Sequence, residues 1–517
     1  MGKTQRRITV PAMMSYQDPP QRKLFYMGIN LDKRIRKNHP LRKIRELIDF
    51  DFIYKEVEGK YGYNGNESVP PPVILKLMLL LVLYNVRSER ELMDTLGERL
   101  DWLWFLDFDL DTEIPNHSVL SKARKRWGEE AFRGFYERVV WQCTETSSAQ
   151  VVESGLVDGS KIFVDSSLIE ADASNNSVVD TKSLKRYLKE SYKELEKRLE
   201  EEREDEKGDN DDEGGGVNSR YISTTDPDAA IVRTSGKAKL RYQTHRAVDS
   251  AYEVITATEV TPGDVNEAHM MLGLVNSHQQ NTESSVETIV ADSKYGTISN
   301  YLGCYDRGIR AHIPDLKGAQ GNSGLRGDIF SDEMFIYDND TDTYTCPSGK
   351  KLMPKSLHMS RQSMDYGALR SDCRVCDLRP QCTRNKAGRT VKRHLRQDEL
   401  DYMRALARTT TSKKDIKTRQ HLMERSFARA KRYGYDRARW RGLWRVRIQE
   451  YLIASIQNIQ ILLKHGTDPR IAVAVRRVRE ELNGELKSLF KSSKQYLLGF
   501  SQFLRSGFEK DLLLRTI

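Results

Sequence analysis

Apolar residues recur along this chain with two different periods. From His39 to about Cys143 the spacing is helical. Pro70-Pro71-Pro72 stops what precedes it and opens Val73-Ile74-Leu75-Lys76-Leu77-Met78-Leu79-Leu80-Leu81. That run is apolar nearly all round, which predicts a core helix. Ser88-Glu89-Arg90-Glu91 is a capping-box start for the next helix. Ile114-Pro115-Asn116-His117-Ser118 then opens Val119 to Trp127, which ends Lys122-Ala123-Arg124-Lys125-Arg126. A capped helix, a turn and a basic helix fit helix-turn-helix DNA binding, and fit equally a packing domain with a solvated basic end.

A strand-like regime follows. Lys161-Ile162-Phe163-Val164-Asp165 and Glu287-Thr288-Ile289-Val290-Ala291-Asp292 are short apolar runs, each closing on an aspartate. Both predict buried strands that deliver a carboxylate to the sheet's edge. Lys239 to Val248 and Glu253 to Val260 predict a hairpin turning at Asp249-Ser250-Ala251, and Asp264 to Val275 predicts a helix. Residues 315 to 400 read as irregular and turn-rich, Asp415 to Leu463 as strongly helical, and the tail from Pro469 as amphipathic helices. The class is α/β, a mixed sheet with helices on its faces, preceded by an all-helical part.

Length divides the chain further, since 517 residues exceed one compact core. Residues 1–40 form a basic arm, 41–150 a helical domain and 151–310 the first part of the core. Residues 175–222 are a charged insertion that dissolves into Gly208-Asp209-Asn210-Asp211-Asp212-Glu213-Gly214-Gly215-Gly216. Residues 311–410 are a cysteine-rich insertion, 411–465 complete the core and 466–517 are C-terminal helices.

The formal charge is +10, but Glu200 to Glu213 alone carries a net −8, so the remainder holds +18. A basic body with one acidic loop fits a polyanionic partner, or ordinary solubilising charge. The start, Met1-Gly2-Lys3-Thr4-Gln5-Arg6-Arg7, lacks the apolar stretch of a signal peptide, and Val73 to Val86 is too short to span a bilayer. The expectation is a cytoplasmic, nucleoid-associated protein with no membrane partner.

Two strand-end aspartates with a helical glutamate are what a two-metal phosphoryl-transfer site needs, because hard divalent ions take carboxylate oxygens. Asp165 and Asp292 supply the pair. Glu424 is the preferred third acid, in Arg419-Gln420-His421-Leu422-Met423-Glu424-Arg425-Ser426-Phe427-Ala428-Arg429-Ala430-Lys431. Lys431 follows two helical turns later on the same face. Glu450 competes, but it precedes the apolar run Tyr451-Leu452-Ile453-Ala454. Nine basic residues and one acid lie between Arg425 and Arg447, a dense phosphate-binding stretch. Its candidate DNA contacts are Arg425, Lys431, Arg432, Arg439, Trp440 and Arg441. Trp440 and Trp444 are stacking platforms for bases or simply core residues.

On these residues the chain resembles bacterial insertion-sequence transposases of the DDE type. The matching stretches are Val157 to Ser174, Ser223 to Ala230, Val260-Thr261-Pro262-Gly263-Asp264, Ala291-Asp292-Ser293-Lys294-Tyr295, and Glu424 to Lys431 with Gly434 and Arg439-Trp440-Arg441-Gly442. Pro71 to Trp127 resembles the helical domain that precedes the catalytic core in one branch. The resemblance implies a ribonuclease-H-like core, cutting at element ends, joining of 3′ ends to target DNA, two Mg2+ ions, double-stranded DNA as partner and a homodimer in the DNA complex. It places Asp165, Asp292 and Glu424 as the acidic triad. Related enzymes carry Tyr and Arg before the glutamate; here Lys417 and Gln420 stand there, with Arg419 adjacent.

Four of the six cysteines, Cys346, Cys373, Cys376 and Cys382, cluster in a loop-rich, basic segment. A CxxC with two further cysteines reads as a structural zinc site with four thiolates, or as reduced buried thiols. Three other functions remain open beside transposition: a silent DNA-binding relative, a metal-dependent nuclease and a coiled-coil or zinc scaffold.

Overall fold

Ten residues, Lys161–Glu170, form β1, the strand around which the main sheet is built. The computed structural model describes residues 14–15, 30–62, 67–145, 155–181, 217–234, 236–315 and 329–465. The glycine-rich linker, the acidic run and the tail from Pro469 lie outside them. A small ribbon pairs β2 (Val178–Asp180) with β3 (Tyr221–Ser223). In the main sheet β4 (Ala230–Arg233) borders the first residues of β5 (Ala238–Asp249), and β6 (Ile255–Pro262) pairs antiparallel along the rest of β5. β5 runs antiparallel to β1, whose other side carries β7 (Thr288–Val290) in parallel. β8 (Arg310–His312) continues parallel beyond β7. The order β6-β5-β1-β7-β8, with that change of sense at β1, is a ribonuclease-H-like sheet.

Both faces of this sheet are covered, and the period-2 alternation of the strands sorts residues between them. Ile162, Val164, Ala247 and Ile289 belong to one core, packed by the helices Met271–Thr282, Ile298–Asp306 and Gln397–Ala407. Phe163, Val248 and Val290 belong to the other. That second core is shared with the N-terminal helices. Pro71–Leu83, buried along almost its whole length, and Glu130–Glu145 each pack against the helix Leu443–His465. Leu75, Leu79, Phe132, Val139, Leu452 and Ile456 are members of one continuous apolar cluster. Lys76, inside the apolar run, is buried and donates to Asp107 at 3.0 Å.

Two expectations need correction and one gains detail. Residues 315 to 400 are less irregular than they read. Strands β9 (Ile336–Asp338), β10 (Thr343–Thr345), β11 (Lys351–His358), β12 (Ser363–Ala368) and β13 (Thr390–His394) form a separate antiparallel sheet in sequential order. Its core is small, made of Phe335, Tyr344, Leu352, Tyr366 and Val391, so its strands are mostly exposed and carry little hydrophobic alternation. The stretch Asp415 to Leu463 is two helices, Thr410–Lys431 and Leu443–His465. Gly434 and Gly442, with φ of +81° and +92°, turn the chain between them in a conformation that L side chains avoid. The helix expected over Asp264 to Val275 begins later, as a short 3-10 turn Glu267–Met270 leading into Met271–Thr282.

Candidate active site

The first aspartate is not at the end of its strand, as the apolar run implied. β1 continues to Glu170 because the long β5 pairs with it through Glu170↔Arg241. The edge arises instead from β7, which stops at Val290, opposite Phe163. Asp165 and Asp292 each lie two residues beyond that matched pair. Equal even offsets on parallel neighbouring strands put both on one face, with strands about 4.8 Å apart. Asp292 caps the turn Ser293–Tyr295, accepting from Lys294 N at 2.9 Å. The sheet thus brings the two aspartates to one edge.

Cations already attend this edge. Arg419 Nη1 donates to Asp165 Oδ2 at 2.6 Å, and Ser166 N donates to Oδ1 at 2.9 Å. Burial pushes the Asp165 carboxyl above the usual range; Arg419 opposes that, while the charges of Asp292 and Glu267 add to it. Arg419 comes from the helix Thr410–Lys431, which Asp415 pins to the sheet by accepting from Lys161 Nζ at 3.1 Å and pairing with His312 Nδ1 at 2.8 Å. Glu267 is buried beside the edge. Ser166 Oγ donates to it, Gln243 Nε2 donates at 3.3 Å, and Lys294 Nζ sits 2.7 Å from its other oxygen. The Lys294 ammonium is held above its ordinary value first by that bond to Glu267, and also by the charges of Asp292 and Asp165.

Glu424 is not brought to this cluster. It is exposed, and Gln420 Nε2 donates to it at 3.3 Å within the same helix. The face of that helix turned to the protein is Asp415, Arg419, Leu422, Met423, Ser426, Phe427 and Ala430. Five residues past Arg419, Glu424 points about 140° away from it. Glu450 is fully buried in a pair with Arg246 and is part of the packing. Among the described residues, no three His, Cys, Asp or Glu side chains converge closely enough to hold a metal ion.

The basic stretch divides by role. Lys431, Arg432 and Arg441 are exposed, with Lys431 Nζ 3.3 Å from Asp436. Arg425 and Arg429 both pair with Glu253 at the β5–β6 turn. Two of the expected DNA contacts are turned inward instead. Arg439 donates to Val86 O at 2.6 Å and to Asn85. Trp440 donates to Glu89 at 3.1 Å, with the Arg124 guanidinium 4.1 Å above its ring. Arg441 Nε donates to Asp172 O at 2.8 Å. Arg124, from the basic end of the Ser118–Trp127 helix, is only 4 % exposed and pairs with Glu89. These side chains join the helical part to the core, which is why an inward-facing Arg-Trp run reads like a surface one.

In the second sheet Cys346, Cys373, Cys376 and Cys382 line one small cavity. Burial pushes the Cys382 thiol up, with the three other cysteines adding to the shift against Arg389. Lys350 N donates to Cys346 Sγ at 3.3 Å, but the four sulfurs are not drawn together closely enough to hold a metal ion.

Reasoning from the sequence missed Arg419, Glu267 and Lys294 as parts of the edge. Lys294 adjoins Asp292, and Glu267 follows the Pro262-Gly263-Asp264 stretch by three residues, but neither has a spacing that betrays the contact.

The ribonuclease-H-like sheet thus brings together Asp165, inside β1, and Asp292, just past β7. Residues 29–126 match the family described as Transposase domain (DUF772), and residues 345–463 match the Transposase DDE domain. Both matches are to transposase domains, which supports an insertion-sequence DDE transposase. No curated protein matches it. Among solved structures it is similar to a piggyBac transposase in a synaptic complex with hairpin DNA, at 10% identity over 84% of each chain with a TM-score of 0.26. No described helix is long and apolar enough to cross a membrane.

Proposed function

We propose that this transposase binds the ends of its insertion sequence, cleaves there, and joins the 3′ ends to target DNA. The observation that carries the reading is the matched placement of Asp165 and Asp292, each two residues past Phe163↔Val290. The donor set is carboxylate oxygen, which fits Mg2+. When bound, two such ions activate the attacking water or 3′-hydroxyl and stabilise the leaving oxygen. Asp165 and Asp292 would hold them, with Glu424, on the exposed face of the helix Thr410–Lys431, as the third acid. Arg425, Lys431, Arg432 and Arg441 track the DNA backbone. Zinc in the Cys346, Cys373, Cys376 and Cys382 pocket would fix the second sheet, whose own core is small. The working species on DNA is a homodimer, and the setting is the cytoplasm.

The test is a strand-transfer assay with duplexes carrying the element's terminal inverted repeats and Mg2+. Asp292→Asn should abolish cleavage and leave end binding intact. Loss of end binding with unaltered folding would defeat the metal-site assignment. Cleavage without joining would favour a metal-dependent nuclease instead. End binding without any cleavage by the unaltered chain would favour a silent DNA-binding relative.

A further inference from the structure

The Lys294 ammonium has no part in the family's acidic triad, yet it stands at the mouth of the site. Its side chain is 68% exposed, while its partner Glu267 is 9% exposed and held in place. Glu267 Oε2 accepts from Ser166 and Gln243, and Gln243 also donates to Ser166 Oγ at 2.7 Å. Ser166 is the residue next to Asp165, and Lys294 lies two past Asp292. A fixed buried carboxylate therefore tethers a solvent-facing cation near the two aspartates.

An ammonium has three donors, and Glu267 takes one at 2.7 Å. The others face open solvent at the edge where a phosphodiester must lie. We propose that Lys294 is the phosphate-binding residue of the active centre and that Glu267 is its positioning residue. The inference deepens the transposase reading and rests on it. Without divalent ions, the ammonium offsets the paired carboxylates. Once ions neutralise Asp165 and Asp292, Glu267 alone retains Lys294, whose free donors meet the non-bridging oxygens of the scissile or neighbouring phosphate.

The experiment measures affinity for the terminal-repeat duplex as a function of salt, with Ca2+ in place of Mg2+ so that DNA stays uncut. Lys294→Met should lower the slope of log affinity against log salt by about 0.9, the loss of one phosphate contact. Lys294→Arg should restore the slope. Glu267→Gln should keep most of the slope but lower kcat in Mg2+, because the cation is retained and misplaced. An unchanged slope in Lys294→Met overturns the proposal; circular dichroism checks that the variant is folded, since Glu267 loses its cation. If Asp292→Asn still cleaves, the parent reading fails on its own, whatever the Lys294 slope shows.

Discussion

Glu450 should be a structural acid whose loss strongly destabilises the protein. It is 1% exposed and accepts from Arg246 Nε at 2.7 Å, Arg246 Nη2 at 3.0 Å and Thr258 Oγ1 at 2.8 Å. Arg246, fully buried, has neutral acceptors besides: Ser426 at 3.2 Å and Gln457 at 3.0 Å. Its guanidinium also lies 4.9 Å from the Phe427 ring centre. Removing the carboxylate charge leaves a buried cation uncompensated, which costs about 3–5 kcal/mol. Domains of this kind are stable by only about 5–15 kcal/mol, so the loss is a large share. Glu450→Gln keeps one acceptor and should fall at the lower end; Glu450→Ala also opens a void and should fall at the upper end. The double variant Arg246→Met/Glu450→Leu should recover most of the stability, because an apolar pair of similar volume avoids the desolvation of both charges. Tryptophan fluorescence through a urea titration reads the change. A Glu450→Gln midpoint equal to that of the parent, or a double variant no better than the single, would refute the reasoning.

Glu424→Gln should behave oppositely, with an unchanged melting temperature and no cleavage, since the side chain is exposed; a melting shift of several degrees with full cleavage would remove it from the triad. Stability should fall as pH drops from about 6.5 to about 4, because burial lowers His245 and His278 to about 4. Both are neutral in the folded state, and the unfolded chain takes up the proton first; the full effect is about 3 kcal/mol per histidine. Thermal melts across that range check it, and His278→Gln should flatten the curve. Cys373→Ser should abolish the one zinc per chain that elemental analysis of the purified protein is expected to find, and a chelator should lower the melting temperature of the parent but not of the variant.

Much of the sheet was legible because its strands are buried on both faces. Ile162, Phe163 and Val164 leave no polar position to mislead, and the Asp249 turn falls where two such runs meet. The aspartates were visible for the same reason, as charges closing apolar runs. What the sequence hides is register and direction. β1 outlasts its apolar run because β5 pairs with Ser166 and Ser167, a long-range contact with no local signature. The orientation of Glu424 depends on which face of its helix docks, and charged Asp415 and Arg419 on that face disguise it. Arg439 and Trp440 carry the composition of a DNA-binding surface, yet their partners Asn85 and Glu89 lie some 350 residues earlier in the chain. The five-stranded second sheet went unseen because few of its residues are buried enough to need apolar side chains.

The shared apolar cluster around Leu443–His465 ties the fate of the amino-terminal helices to that of the catalytic half. Ile453, Leu452 and Ile456 would be bared to water if Pro71–Leu83 and Glu130–Glu145 were deleted. A shortened product starting near Lys161 would therefore expose that apolar face and should aggregate, so the front helices and the sheet form one folding unit.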